Sequence, residues 1–314
     1  MQNLFIIGSP RSGTTFLAGL LKPTVYGEPF ETQFILKYDE KIKQYGDITH
    51  INNLTALVND IRSERAVAQW GIDIDAIEIK ENLGDNYSYV DVVDEVCKKL
   101  MASKNRVLWG DKTPHYILEL EALTKLYPEA KYLYIIRDGR DVALSLLRKV
   151  WGPNNVYSCA LQWQKANNKS QLKLIKKLEQ SGLLITIRYE ALIDSPESEC
   201  ERIYDFLGED ITKHRSIVKQ LTAKTIKGNH SKWKNNMSAG NTRVYECIAQ
   251  ETLSLHGYSV KNAPKELGVI EESYFRIHNK LVHFKHLFMM NFVDGIKIKY
   301  FGKKPFDGSP DKYK

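Results

Sequence analysis

The sequence predicts an α/β fold, a P-loop-like parallel β-sheet flanked by helices, with a helical insertion and a helical C-terminal extension. Three observations carry this expectation. Short apolar runs alternate with amphipathic helical stretches as far as Tyr189. The first run, Asn3 to Gly8, stops at a glycine and passes within a few residues into a helical pattern, so strand, tight turn and helix follow one another. A long, polar, helix-patterned stretch then separates this unit from the next apolar run.

Taken in order, Phe16, Leu17, Leu20 and Leu21 recur at helical spacing and predict a helix over 13–22. From about residue 37 to 104 the pattern is helical, with apolar positions such as Ile51, Leu54, Leu57 and Ile61. This is the insertion, and at the strand ends of an α/β sheet it is placed to shape an acceptor pocket. Arg106 to Trp109 reads as a short strand, His115 to Tyr127 as an amphipathic helix, and Lys131 to Arg137 as another strand. A helix over 139–150, one long helical stretch over about 156–180 and a strand over 183–189 complete the alternation. Strands alternating with helices imply right-handed crossovers and a parallel sheet. The length allows one or two domains; residues 1–262 are expected to form one, and 263–314 an extension.

Composition excludes a fibrous or wholly disordered chain, since 43% of the 314 residues are hydrophobic and 26% charged. Of 45 basic and 38 acidic residues, nine bases but only three acids lie from Arg276 to Lys314, so the body is nearly neutral and the C-terminal segment basic. Such a segment suits peripheral contact with an anionic membrane or another polyanion, or it is a solvated tail; a nucleic-acid partner is not expected. Cys97, Cys159, Cys200 and Cys247 are isolated, without metal-ligand spacing, and fit reduced thiols. Without a signal peptide pattern or an apolar span, the expected location is cytoplasmic. Trp151 and Trp163 are expected in the core or a groove wall, and His283 and His286 lack a third ligand for a metal.

Gly8 to Thr15 reads Gly-Ser-Pro-Arg-Ser-Gly-Thr-Thr, with four residues between the glycines as in a P-loop. The backbone of such a turn converges on an anion. Thr14 stands where a nucleoside triphosphatase carries lysine, so the loop suits a phosphate but not ATP hydrolysis, and Arg11 can supply the cation. Arg137 ends a strand and Ser145 lies about two turns into the next helix. An arginine there points into the crevice where α/β proteins bind ligands, and a serine can add one hydrogen bond. Equally, Arg137 can pair with Asp138 or Asp141.

These residues resemble the sulfotransferases that use 3′-phosphoadenosine 5′-phosphosulfate (PAPS). Pro10 to Thr15 is similar to their 5′-phosphosulfate loop, and Arg137 with Ser145 to their 3′-phosphate motif. Tyr189-Glu190 resembles the adenine-side tyrosine segment. Lys227-Gly228, followed by Trp233-Lys234-Asn235, resembles the late loop over the 3′-phosphate. Arg11 replaces the lysine of small-molecule enzymes, Ile226 replaces an arginine, and no catalytic histidine segment is recognisable. Instead Gly27 to Phe34 is similar to the glutamate segment of glycan and tyrosylprotein sulfotransferases, and Gly110 to Tyr116 to the Lys-Ser/Thr-Pro segment of heparan-sulfate-type enzymes. The resemblance is to a soluble, bacterial-type relative of that branch.

The resemblance implies an O-sulfotransferase that uses PAPS as donor, releases the 3′,5′-diphosphate (PAP) and requires no metal. Glu31 is the implied general base, with Glu28 as the other candidate, because a neutral hydroxyl must lose its proton. Arg11 is expected to stabilise the leaving phosphate, with Ser12, Gly13, Thr14 and Thr15 donating hydrogen bonds. Lys112 is expected at the sulfuryl group or the acceptor, Tyr189 at adenine, and Arg137, Ser145, Lys227 and Gly228 at the 3′-phosphate. The acceptor is a hydroxyl on a sugar, glycan or glycoconjugate; a peptide tyrosine or small metabolite is the alternative. A P-loop nucleotide kinase and an inactive anion-binding module are the competing readings.

Overall fold

Leu4 to Gly8 contains no polar side chain, as expected of a strand buried on both faces of a parallel sheet. The structure, a computed structural model, describes residues 2–106, 108–149, 151–223, 228–260 and 266–288. The chain opens with β1 (Leu4–Gly8) and α1 (Thr14–Leu20), then runs through α2 (Ile35–Lys41), α3 (Ile51–Ser63), α4 (Arg65–Ala68), α5 (Ala76–Leu83) and α6 (Tyr89–Ala102). It continues with β2 (Gly110–Asp111), α7 (Leu120–Leu126), β3 (Lys131–Ile136), α8 (Gly139–Leu146), α9 (Val156–Asn167) and α10 (Lys169–Gln180). Last come β4 (Leu184–Arg188), α11 (Tyr189–Asp194), α12 (Pro196–Leu207), α13 (Arg215–Thr222), α14 (Trp233–Asn236), α15 (Ala239–Leu255) and α16 (Val269–Phe288). Two compact units result, one from Met1–Ile136 with Lys173–Ile226, the other from Arg137–Leu172 with Lys227–Lys314.

The first unit holds the sheet, in the order β2-β1-β3-β4 with every pairing parallel. The fold is therefore α/β. Alternation along β1 sends Leu4 and Ile6 to one face, where they join Leu133, Ile135 and Ile187 against Leu17 of α1, Ile203 of α12 and Val218 of α13. Phe5 points to the other face, stacking on Tyr132 at 5.6 Å and meeting Trp109 edge-on at 5.6 Å. Such ring pairs add about 0.5–1.5 kcal/mol each beyond burial. The insertion is helical as expected, from α2 to α6, and two of its helices are capped: Asp75 accepts from the N–H groups of Ile77 and Glu78, while Ser88 and Asp91 form a capping box.

Three sequence expectations shift. Arg106 to Trp109 is not a strand among the described residues, because Arg106 still closes the end of α6 by donating its N–H to Met101, and its guanidinium holds the Lys22 and Thr24 carbonyls. The strand is Gly110–Asp111. Pro114 starts a 3₁₀ turn, so the helix expected from His115 becomes α-helical only at Leu120. The long helix over 156–180 breaks at Asn168, whose extended backbone ends α9 and whose side-chain oxygen accepts from Ser170 and Gln171 at the start of α10.

The second unit is built on α8, α9 and α15. Arg140, fully buried, donates to both Asp138 oxygens (3.0 and 2.8 Å), to Glu246 (2.6 Å) and to the Ser259 carbonyl (2.9 Å). Gly139 permits this arrangement, since a Cβ there would lie 2.0 Å from the Tyr245 hydroxyl and 2.5 Å from the Trp163 ring. Trp163 is fully buried, as expected of a core residue, whereas Trp151 is exposed.

Gly139→Ala is expected to cost about 2–4 kcal/mol of stability, read by urea unfolding, because both obstructing side chains are fully buried. A loss under about 0.5 kcal/mol would mean that they move aside freely.

Candidate active site

The loop after β1 is shaped by backbone that few residues adopt: Arg11 has φ 73° and Gly13 φ 102°. The Ser12 N–H closes the turn onto the Ser9 carbonyl at 3.1 Å, so Ser12 offers its hydroxyl to a ligand and not its amide. Both Ser9 and Ser12 are buried, and neither hydroxyl has a hydrogen-bond partner among the described residues. Buried hydroxyls without partners are costly unless something completes them. Thr14 is buried, while Arg11 and Thr15 are exposed. Two hydroxyl donors beside an exposed guanidinium fit an oxyanion such as a phosphate. The loop also rests on Tyr189, the first residue of α11: a Cβ on Gly13 would lie 2.5 Å from that ring. The tyrosine segment and the phosphate loop thus form one packed structure.

At the neighbouring strand, the segment carrying Glu31 is stitched to the end of β2. Phe30 bridges Asp111 in parallel, its N–H donating to Gly110 at 3.2 Å and its carbonyl accepting from Lys112 at 2.7 Å. Beyond it, Thr32 donates its N–H (3.0 Å) and hydroxyl (2.7 Å) to the Asp111 carboxylate, and Thr113 donates likewise (2.7 and 2.9 Å). Asp111 is fully buried. Burial pushes its carboxyl from the ordinary 3.8 up to about 6, against the downward pull of those four hydrogen bonds. The Tyr116 hydroxyl lies 2.9 Å from the Thr32 hydroxyl and accepts from the Ile35 N–H at 3.0 Å.

This frame presents Glu31. One carboxylate oxygen is ion-paired with the Lys112 ammonium, and the other accepts from the Gln33 amide at 2.6 Å. Gln33 reaches back because its backbone is left-handed, φ 59°. Lys112 is largely buried and Glu31 more open. His115 is close enough for Glu31 to raise its pKa, although desolvation dominates and holds the imidazole below its ordinary value. Glu28 is exposed and outside this network. Sequence reasoning found Glu31 and Lys112 but missed Asp111, Gln33 and His115; the one signal was the Asp-Lys-Thr-Pro order, which puts a short acceptor just before a turn.

In the second unit, Arg137 follows β3 in the chain and its guanidinium meets Asp141 at 3.5 Å, while Asp138 serves Arg140 and caps α8. The other oxygen of Asp141 accepts from the Trp233 N–H at 2.9 Å, and the Trp233 ring lies 3.6 Å from the Arg140 guanidinium. The Arg/Ser motif and the late loop are therefore joined through Asp141. Ser145 is half-buried on α8, and Gly228 is exposed with φ 70°. Lys227 lies outside the described residues.

The fold and loop define an α/β protein whose central strand ends in a tight turn lined by two buried serine hydroxyls. The chain matches the sulfotransferase family over residues 3–213, more than half its length, and belongs to that family. It is 28% identical over 228 residues to the nodulation protein NoeE of Sinorhizobium fredii, an alignment covering 66% of this chain and 50% of that protein. A putative protein-tyrosine sulfotransferase of Caenorhabditis briggsae is 25% identical over 191 residues, covering 54% of this chain and 67% of the relative. The sulfotransferase domain of the Synechococcus PCC 7002 olefin synthase aligns over 88% of this chain and 94% of that one, at 17% identity and a TM-score of 0.48. The matched stretch spans about half the length of NoeE.

Asp111 makes stability depend on pH. Its pKa is raised on folding, so the folded state holds its proton more tightly, and stability falls as pH rises from about 4 to about 6. Between pH 4 and 7 the wild type is expected to lose about 2 kcal/mol relative to Asp111→Asn, which cannot ionise. Paired denaturant curves check this; a difference independent of pH would show that Asp111 titrates normally.

Proposed function

We propose that this chain transfers a sulfuryl group from PAPS to a hydroxyl acceptor and releases PAP. The single observation that carries the reading is the pairing, at the C-terminal ends of neighbouring strands, of an anion cradle after β1 with the Glu31–Lys112 pair after β2. Bound at the cradle, PAPS supplies an activated sulfuryl group on a phosphate leaving group. The Ser9 and Ser12 hydroxyls gain the partner they lack, and Thr14 and Thr15 flank them. Arg11 offsets charge growing on the leaving oxygen, a task for a planar, permanently charged group. Arg137, Ser145, Lys227 and Gly228 are assigned the 3′-phosphate, and Tyr189 the adenine side.

Glu31 accepts the acceptor hydroxyl's proton. The Lys112 ammonium orients that carboxylate through their ion pair and is placed to neutralise sulfuryl oxygens as the proton arrives. Glu28, exposed and apart, is the less favoured base. This chemistry calls for no metal: arginine, lysine and hydroxyl donors cover the developing charge. Thr14 in place of the P-loop lysine disfavours a nucleotide kinase.

We assign the transfer to residues 1–262, and the isolated spacing of the four cysteines supports a reducing, cytoplasmic setting. A sugar or glycoconjugate hydroxyl is the favoured acceptor, on the likeness of the Glu31 and Lys112 segments to glycan-modifying enzymes. The edge-to-face contact of Phe30, next to Glu31, with Trp70 of the insertion at 4.9 Å adds an aromatic wall suited to a ring. Peptide tyrosine is the second reading, favoured by the relatives described as putative protein-tyrosine sulfotransferases.

Glu31→Gln is expected to lower kcat for sulfuryl transfer about 10²- to 10⁴-fold while PAP affinity stays within about twofold, whereas Arg11→Ala weakens both. Mass spectrometry of a sugar and tyrosine-peptide acceptor panel, with calorimetry on PAP and ATP·Mg²⁺, checks this. Retained transfer in Glu31→Gln removes it as the base, and tight binding of ATP·Mg²⁺ alone overturns the donor assignment.

A further inference from the structure

The helix α16 uses only one of its sides. Its inner side is half-buried: Phe275 stacks on Tyr157 of α9 at 5.7 Å, and its carbonyl accepts from the Asn155 side chain at 2.8 Å. The Asn279 side-chain oxygen accepts from the Asn154 N–H at 2.8 Å. The opposite side carries Ile270, Tyr274, Ile277, Leu281, Phe284 and Phe288, spaced alternately by four and three residues. Every one of these is more than half exposed, Ile270 at 88% and Phe284 at 71%. A continuous apolar stripe of that length marks an interaction surface.

Charge identifies the partner. The acidic residues of α16 belong to its inner side, where Glu271 pairs with Arg243, and Glu272 accepts from Tyr157 and meets Arg276. Lys280 and Lys285 stand exposed beside the stripe. The chain continues with six lysines and three acids over 289–314. An apolar face bordered by lysines matches an anionic lipid surface, where acyl chains take the stripe and headgroups take the ammonium groups. The spacing would also suit a coiled coil with a second copy, but the charges oppose it. In a parallel pair Lys280 would face Lys285 of the other copy; in an antiparallel pair Lys280, near the midpoint, would meet its own counterpart. Among the described residues no helix is long and apolar enough to cross a membrane.

We propose that α16 is an interfacial helix that docks this protein on anionic membranes, with Ile277, Leu281 and Phe284 at the centre of the buried stripe. The assignment is independent of the donor and acceptor chemistry. The full-length chain is expected to float with phosphatidylcholine vesicles containing about 30% phosphatidylglycerol and not with phosphatidylcholine alone. Raising salt from about 0.1 to 0.5 M weakens the binding by screening. The triple variant Ile277→Ser, Leu281→Ser, Phe284→Ser is expected to bind at least about tenfold more weakly at an unchanged Tm. Tryptophan fluorescence of Phe284→Trp is expected to shift to the blue only with anionic vesicles. No flotation of the wild type, or wild-type flotation by the triple variant, overturns the proposal. So does a wild-type dimer in sedimentation that the triple variant converts to monomer, which would assign the stripe to a second copy. Binding lost on deleting 289–314 but kept in the triple variant would move the contact to the tail and likewise overturn it.

Discussion

Burying the Asp111 carboxylate at the end of β2 carries a desolvation penalty on the order of several kcal/mol, and four short donors from Thr32 and Thr113 are what make it tolerable. The arrangement cannot be met by either segment alone. Thr32 brings the chain that carries Glu31, Thr113 the chain that carries Lys112, and the carboxylate between them fixes their register. Glu31 and Lys112 then meet as a consequence of backbone placement, so their pairing does not depend on the small net worth of an ion pair near solvent. A buried acid with no direct part in the proposed chemistry is thus the residue that positions the groups that have one.

The four sequence motifs join in twos, each join made by packing or a single shared acceptor. The phosphate loop and the tyrosine segment meet where Gly13 leaves room for Tyr189. The Arg/Ser motif and the late loop meet at Asp141, one oxygen for Arg137 and the other for the Trp233 amide. In the second case the aspartate that could have silenced Arg137 as a mere helix-start pair is also the tether that brings the late loop to it.

Much of this was legible because it is local. Gly8, Gly13 and the apolar run before them define strand, turn and helix within a few positions. The strand at Gly110–Asp111 was misplaced by a few residues because its position is set by a bridge to Phe30, far away in the chain, whereas the apolar run just before it is drawn off by Arg106 and Trp109. The break at Asn168 was written in Asn-Asn-Lys-Ser, a capping signal outweighed by the helical periodicity on either side. Asp111 itself gave almost nothing away: an aspartate beside a lysine reads as solvated surface until the fold closes over it. The apolar stripe of α16 is plain in the sequence, but only its exposure tells a surface helix from a core one.

The seat of Gly13 on Tyr189 also bears on how the protein comes into being. The phosphate loop leaves the ribosome well before the ring against which it rests and the strand that delivers that ring. A ribosome-bound fragment ending before β4 therefore has the turn and Ile135 of β3, on which it also packs, but not the Tyr189 ring.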